Sequence, residues 1–240
     1  MYRGLPFAVV VPCLNEEENI VKVIRRLQAT GIVDEIVVAD DGSTDRSMDR
    51  AKREGATVLS IGKSLGVGAA LRRGLAYIED KYPVVVIIAG NDKDNPEELP
   101  RLLRPLVEKR AEFVQGSRYL PGGGIGGAMP FYRRMATRIH PWAFSLATGC
   151  KLTESTNGYR AFRTKLLADP NLDLNQPWLD RYELEPYLFY KALTLGYSCI
   201  EVPVTKTYPP RGRRYTRMPA VVGWWSILRP LFLLRFGIRQ

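Results

Sequence analysis

The chain has 240 residues, of which 45% are hydrophobic and 25% charged, a composition typical of a globular protein and not of a disordered or fibrous one. It carries 35 Lys and Arg against 25 Asp and Glu, a formal net charge of +10. One histidine and three widely spaced cysteines exclude metal sites built on several such residues and give no disulfide framework. We expect the histidine, His140, to be a packing or surface residue rather than a catalytic base.

The first half of the chain alternates short β-branched runs with segments of helical periodicity. The pattern predicts strands at 7–11, 35–39, 57–61, 84–89 and 112–115, and helices at 16–29, 45–53, 67–78 and 96–109. This alternation predicts an α/β fold with a mostly parallel sheet and helices on both faces. We expect Asn15 to cap the first helix, with Glu18 completing a capping box.

The second half is less regular. We predict a flexible glycine-rich loop at 122–127, helices at 133–147 and 182–195, and a strand at 199–205. Without internal repeats, the chain divides into one domain at 1–217 and an amphipathic C-terminal extension at 218–240. The extension is too short and too charged to cross a bilayer, so it either lies in a membrane interface or packs on the domain as a helix.

The positive charge is concentrated in the second half. Residues 1–100 contain 13 Lys and Arg against 16 Asp and Glu, whereas residues 101–240 contain 22 against 9. The segment 202–240 holds eight basic residues and no acidic one. Such a block attracts phosphate groups on nucleic acid, on anionic lipid or on a substrate, and charge alone does not choose among them.

Polar residues follow three of the predicted strands, in the segments 12–17, 40–45 and 90–94. The carboxyl ends of parallel strands meet at one edge of a sheet, where ligands collect. Carboxylates crowded there repel one another unless they hold a cation or accept hydrogen bonds from hydroxyl and base N–H groups. A hard divalent ion such as Mg²⁺ or Mn²⁺ meets that condition.

A dinucleotide-binding dehydrogenase is not favoured. Its G-x-G-x-x-G motif should follow the first strand, and that turn contains no glycine. The nearest match, at 66–71, follows the third strand and has Leu71 in place of the last glycine.

Five segments, in chain order, resemble the family 2 glycosyltransferases, most closely the polyprenyl-phosphate glycosyltransferases of the dolichol-phosphate mannose synthase type. They are 9–17 (VVVPCLNEE), 37–45 (VVADDGSTD), 116–123 (GSRYLPGG), 157–163 (NGYRAFR) and 196–204 (GYSCIEVPV). The resemblance implies a Rossmann-like GT-A fold and an inverting, divalent-metal-dependent enzyme. It implies transfer of a hexose, mannose or glucose, from a GDP- or UDP-sugar to a polyprenyl phosphate. The enzyme would then act as a peripheral protein at the cytoplasmic face of a membrane.

The resemblance also implies roles for particular residues. The nucleotide would be held by Pro12, Asn15, Glu16 and either Asp40 or Asp41. The family's Asp-x-Asp motif aligns here with Gly90-Asn91-Asp92, so the first carboxylate is missing. We therefore expect Asp92 and Asp94 to bind Mg²⁺ or Mn²⁺.

The acceptor phosphate would be held by arginines, which grip phosphate bidentately. By resemblance, Arg118 and Arg133 act with Asp92 in catalysis, and Thr137 joins the two arginines at the acceptor phosphate. A basic loop containing Arg211, Arg213 and Arg214 would close over the donor.

Two other functions remain open at this stage. A hydroxyl acceptor would need a carboxylate base, for which Asp180, Glu183 and Glu185 are candidates. A nucleic-acid surface could use the basic second half with Tyr119, Tyr132, Trp142 and Tyr215. The nucleic-acid function is not favoured, because the chain has no recognition motif and the carboxylate clusters would be unexplained.

Overall fold

The structure, a computed structural model, describes residues 1–210 and 220–239 and is organised around a central sheet. The described residues form nine strands: β1 (Ala8–Cys13), β2 (Glu35–Asp40), β3 (Thr57–Ser60), β4 (Val84–Ile87), β5 (Phe113–Ser117), β6 (Gly124–Gly127), β7 (Arg160–Arg163), β8 (Cys199–Pro203) and β9 (Thr205–Tyr208). The same part of the chain forms seven α-helices: α1 (Ile20–Ala29), α2 (Ser47–Arg53), α3 (Val67–Ile78), α4 (Leu99–Val107), α5 (Phe131–Thr148), α6 (Leu184–Thr194) and α7 (Ala220–Arg235).

The main sheet has the strand order β3-β2-β1-β4-β7-β5-β8, and β6 pairs with β9 in a second, two-stranded sheet. All pairs in the main sheet are parallel except those of β7, which runs antiparallel to both neighbours. Alternate residues of β1 face opposite cores: Val9 and Val11 pack with α1 and α4, whereas Ala8 and Val10 pack with α3. The predicted α/β fold and its five strands are confirmed.

The predicted cap of the first helix is wrong. Helix α1 begins at Ile20, its N-cap residue is Asn19, and no side chain caps it. Asn15 instead has a positive φ of 50°, and its Oδ1 accepts a hydrogen bond of 2.7 Å from the backbone N–H of Thr44. A tertiary contact with the segment after β2 has therefore replaced the local capping interaction.

The glycine-rich segment and the last predicted strand also differ from expectation. Residues 124–127 form β6, which lies in register with β9, so the predicted loop contains a strand. The predicted strand at 199–205 is divided into β8 and β9, which belong to different sheets. Val204 joins them, since its N–H donates to Ser117 and its carbonyl accepts from Gly124. Gly127 is required at the end of β6, because its φ is +70° and a Cβ there would lie 1.9 Å from the carbonyl oxygen of Tyr208 in β9.

The C-terminal extension forms helix α7, which packs on α5 and α6. Leu231 and Ser226 are buried in this contact, whereas Trp225 and Phe232 are exposed. The extension therefore packs on the domain as a helix, which was one of the two alternatives predicted for it. The helix also keeps an exposed apolar side. The predicted boundary at 217/218 lies outside the described residues. None of the helices described here combines the length and apolar character needed to cross a membrane.

The lone histidine is a packing residue. His140 lies in α5 and is buried, with Nδ1 2.7 Å from the Ser155 hydroxyl and Nε2 3.3 Å from the Ile227 carbonyl. Burial lowers the pKa of its imidazole to about 4, so the ring is neutral at pH 7. It thereby joins α5 to α7 and to the segment before β7.

A buried ion pair anchors the end of β5. The Arg118 guanidinium donates to Glu154 at 2.7 Å, to the Tyr208 hydroxyl at 2.8 Å and to Thr156 at 2.7 Å. The two charged side chains are 2% and 0% exposed. Burial opposes the charged form of Arg118, but Glu154, Tyr208 and Tyr119 together outweigh it and raise the pKa of the guanidinium. The pair ties β5, β9 and the segment before β7 together.

We expect stability to fall in acid because of His140. The native state holds a neutral imidazole with a pKa of about 4, whereas the unfolded chain takes up a proton near pH 6.5. His140 therefore leaves the free energy of unfolding almost unchanged above pH 6.5. Below pH 6.5 it lowers the free energy of unfolding, by about 2 kcal/mol at pH 5. Urea titrations at pH 7 and pH 5 would measure this loss, and His140→Gln should reduce it. Equal pH dependence in both proteins would contradict the prediction.

We expect Glu154→Ala to reduce the free energy of unfolding by about 3–5 kcal/mol, because it leaves the Arg118 charge buried without its carboxylate. The matched control is Glu108→Ala, which removes a surface partner of Arg104 and should lower the free energy of unfolding much less, because solvent screens the exposed pair. Chemical denaturation of both variants would test the difference. A loss in Glu154→Ala no larger than the control's would contradict a stabilising role for the buried pair.

Candidate active site

A cavity of about 890 Å³ opens where β1 and β4 end. From β1 the chain continues to β2 and β3 at one edge of the sheet, and from β4 it continues to the strands of the other edge, so the strand order reverses between β1 and β4. This is the point at which α/β proteins bind ligands. The walls of the cavity also include residues of α3, α5, α6, β9 and α7. The polar segments after β1, β2 and β4 therefore meet at one edge of the sheet, as predicted.

The residues expected to hold a nucleotide divide into two groups. Pro12, Glu16 and Asp41 line the cavity, whereas Asn15 and Asp40 do not. Asp40 is 1% exposed and accepts hydrogen bonds from the backbone N–H of Ser43 at 2.9 Å and from another serine hydroxyl at 2.6 Å. Of the alternative pair Asp40 and Asp41, only Asp41 thus faces the space where a ligand would lie.

Asp41 shapes one wall of the cavity. Its carboxylate accepts from the Ser64 hydroxyl at 2.9 Å and from the backbone N–H groups of Leu65 and Gly66 at 2.9 and 2.8 Å. Beyond this loop, α3 approaches the segment 179–181 so closely that a Cβ on Gly68 would lie 1.9 Å from the Leu179 carbonyl. This close packing explains the glycines that resemble part of a dinucleotide-binding motif.

The two aspartates expected to bind metal have different surroundings. Asp92 lines the cavity and pairs with Arg26 at 2.8 Å. Asp94 is buried, does not line the cavity, and accepts from the Lys206 ammonium at 2.7 and 2.9 Å through its two oxygens. In the described residues, no group of three or more His, Cys, Asp or Glu side chains could hold a metal ion.

A further oxygen donor near Asp92 was not expected from the sequence. Asn91 lines the cavity, and its Oδ1 is buried without a hydrogen-bond partner in the structure described. An amide oxygen and a carboxylate are hard ligands that suit Mg²⁺ or Mn²⁺ when ligand phosphates complete the shell. The residues that fit a metal are thus Asp92 and Asn91. The sequence feature that could have indicated Asn91 is its position in Gly90-Asn91-Asp92, the triplet that aligns with the Asp-x-Asp motif.

In the part of the chain that the structure describes, six cationic side chains line the cavity: Lys93, Arg118, Arg133, Arg160, Arg181 and Lys206. Lys206 belongs to the basic segment 202–240, whereas Lys93 and Arg181 were not expected at the site. Burial, together with the charges of Lys206 and Arg133, lowers the pKa of Lys93 to about 8. The concentration of positive charge makes this wall suitable for anionic ligands.

Arg133 and Thr137 are one turn apart on α5, and both line the cavity. The Thr137 hydroxyl donates to the Arg133 carbonyl at 2.9 Å and lies 2.5 Å from the hydroxyl of Tyr119. Arg118 lines the same cavity and is held by Glu154. The structure therefore brings together the three residues expected at the acceptor phosphate. Arg211, Arg213 and Arg214 lie outside the described residues.

The three candidate bases are separated by the structure. Asp180 pairs with Arg72, and Glu183 is buried 3.8 Å from Arg229; neither lines the cavity. Glu185 does line the cavity, and its Oε1 is buried without a hydrogen bond, 3.7 Å from Arg160. Glu185 is therefore the member of this group that could accept a proton from a ligand.

Comparisons with known proteins identify the family of this chain. The model of Glycosyl transferase family 2 matches residues 8–192. The polyprenol monophosphomannose synthase of Mycolicibacterium smegmatis is 30% identical over 206 residues, which cover 83% of this chain and 76% of that protein. The undecaprenyl-phosphate mannosyltransferase of Micrococcus luteus is 32% identical over 206 residues, with 82% and 81% coverage.

The fold is also found among solved structures. The glucosyl-3-phosphoglycerate synthase of Mycobacterium tuberculosis, in complex with Mn²⁺, UDP and glucosyl-3-phosphoglycerate, matches with a TM-score of 0.69 and 25% identity. The match covers 99% of this chain and 82% of that one. The expected GT-A fold is confirmed, and the protein belongs to glycosyltransferase family 2, where it is similar to polyprenyl-phosphate mannosyltransferases.

Proposed function

We propose that this glycosyltransferase moves a hexose from a nucleotide-sugar to a polyprenyl phosphate at a membrane surface, with inversion at the anomeric carbon. One observation carries the proposal. Asp41 and Asp92, on the donor side, line the same cavity as Arg133 and Thr137, on the acceptor side. The names of the mannosyltransferase relatives support the acceptor class.

The chemistry fits the side chains that line the cavity. A phosphate acceptor is already ionised at neutral pH, so its oxygen can attack the anomeric carbon without a general base. The new carbon–oxygen bond forms as the bond to the nucleotide diphosphate breaks, and the electron pair leaves with the diphosphate. The protein then has to hold two anionic groups in line and stabilise the charge on the departing one. Arg118, held by Glu154, and Arg133 provide positive charge for this purpose.

A divalent metal fits the donor side. The solved glucosyl-3-phosphoglycerate synthases bind Mn²⁺ with UDP or UDP-glucose, which supports a divalent ion in this fold. In this chain Asp92 and the amide oxygen of Asn91 would hold Mg²⁺ or Mn²⁺, and the ion would supply positive charge next to the diphosphate. Asp94 instead neutralises Lys206.

A hydroxyl acceptor is the second candidate, and Glu185 is the observation in its favour. A carboxylate that lines the cavity and has one oxygen without a hydrogen bond could remove the proton of a hydroxyl as it attacks. The solved relatives named above include complexes with phosphoglyceric acid. The two candidates differ in the acceptor they require, so one assay separates them.

An exposed apolar surface supports the membrane part of the proposal. Helix α5 carries a stripe of exposed apolar side chains, and α7 adds two more; together they are Phe131, Met135, Ile139, Trp142, Leu146, Trp225 and Phe232. We call this set the apolar face. Arginines accompany it on α5, as in helices that lie in a membrane interface. The same helix α5 carries Arg133 and Thr137, so a membrane held by the apolar face would lie next to the cavity.

We expect transfer from GDP-mannose or UDP-glucose to a short-chain polyprenyl phosphate in detergent, measured by mass spectrometry of the product. Arg133→Met should lower kcat/KM by about 10- to 100-fold, because it removes charge-assisted hydrogen bonds to a phosphate. Arg134→Met is the matched control: it removes an exposed neighbouring arginine and should leave kcat/KM nearly unchanged.

The lipid-phosphate proposal fails if the enzyme ignores polyprenyl phosphate and glycosylates a hydroxyl acceptor such as phosphoglyceric acid. In that case Glu185→Gln should abolish turnover. With the polyprenyl phosphate as acceptor, the same substitution should preserve turnover, because no base is needed.

We expect the protein to sediment with vesicles that contain anionic lipid. Trp142→Asp should weaken this binding about tenfold or more. It places a charge within the apolar face and removes a large apolar area that the membrane would bury. Ala76→Asp is the control, because it adds the same charge at an exposed position on α3. Equal sedimentation of the two variants would contradict a role for the apolar face.

A further inference from the structure

Lys93 lies between two anchored residues on the donor side of the cavity. Its neighbour Asp92 pairs with Arg26 at 2.8 Å, and its other neighbour Asp94 is held by Lys206. The backbone carbonyl of Lys93 accepts a 2.7 Å hydrogen bond from Thr207 in β9. The backbone on both sides of Lys93 is thus fixed, and its side chain forms part of the cavity wall.

Three ion pairs lie around this segment. Asp92 pairs with Arg26, Asp94 with Lys206, and Arg118 with Glu154. The acidic segment 90–94 therefore presents less negative charge to the cavity than its composition suggests.

Lys93 also lies near the acceptor side. Its ammonium nitrogen is 6.0 Å from the centre of the Tyr208 ring, and the guanidinium carbon of Arg133 is 5.9 Å from the same ring. The Tyr208 hydroxyl accepts from Arg118 at 2.8 Å. Three cations, one from the donor side and two from the acceptor side, are therefore grouped around one buried tyrosine.

We propose that the ammonium group of Lys93 binds the diphosphate of the nucleotide donor and carries more of that binding than a divalent metal does. This inference rests on the proposed function, which supplies the nucleotide-sugar. An ammonium group is a compact charge with three donors, and it can contact the phosphates where one carboxylate of the expected acidic pair is missing. As the glycosidic bond breaks, the same charge lies next to the diphosphate oxygen that receives the electron pair.

The test is calorimetric titration of the full chain with UDP and GDP, each in EDTA and in MnCl₂. One of the two nucleotides should bind to the wild type, and its affinity should differ by less than about tenfold between EDTA and MnCl₂. Lys93→Met should weaken diphosphate binding at least about tenfold in both, but weaken binding of the matching monophosphate much less. Lys93→Arg should restore most of the affinity. Lys52→Met, at an exposed position on α2, should bind as wild type does.

The outcomes separate this inference from the proposed function. If Lys93→Met binds the diphosphate as tightly as wild type, or if EDTA abolishes wild-type binding, the role of Lys93 is overturned and the proposed function stands. If the wild type binds neither nucleoside diphosphate in either condition, both are overturned. Thermal midpoints of the variants check folding, and Lys93→Gln provides a second neutral side chain if Met destabilises the chain.

Discussion

A buried cation has to be matched by a buried anion, and much of this site depends on one such match, between Arg118 and Glu154. Their side chains are 2% and 0% exposed, so neither charge could remain without the other. Arg118 follows β5, Glu154 precedes β7, and the tyrosine that accepts from Arg118 lies in β9. The pair therefore fixes three separate parts of the chain at the wall of the cavity.

The other charged groups follow the same logic of compensation. Lys206 neutralises Asp94 inside the protein, and Arg26 neutralises Asp92 at the rim of the cavity. These contacts remove negative charge from the edge of the sheet, where the sequence alone suggested an excess. The cavity consequently suits an anionic donor and an anionic acceptor together, as the proposed transfer to a lipid phosphate requires.

Local patterns predicted much of the fold and part of the site. The β-branched runs predicted all five of the early strands, because a parallel sheet buries both faces. The contact that Asn15 makes in place of a helix cap, the strand within 122–127 and the burial of Asp94 were not predictable in the same way. Each depends on a partner distant in sequence: Thr44 for Asn15, β9 for the glycine segment and Lys206 for Asp94. Asn91 and Lys93 were not predicted as site residues, because the prediction for this segment considered only the carboxylates of Asp92 and Asp94.

Helix α5 has two different sides, and its diameter sets the distance between the apolar face and the cavity. Arg133 and Thr137 line the cavity, while Trp142 and Leu146 belong to the apolar face. An α-helix with its side chains is about 10 Å across. In the proposed membrane-bound state, the helix lies between the bilayer and the cavity. Its diameter then sets how far above the bilayer surface a lipid phosphate must lie in order to reach the donor. Acceptor selection would then depend on the height of the phosphate above the bilayer and little on the length of the hydrocarbon chain below it.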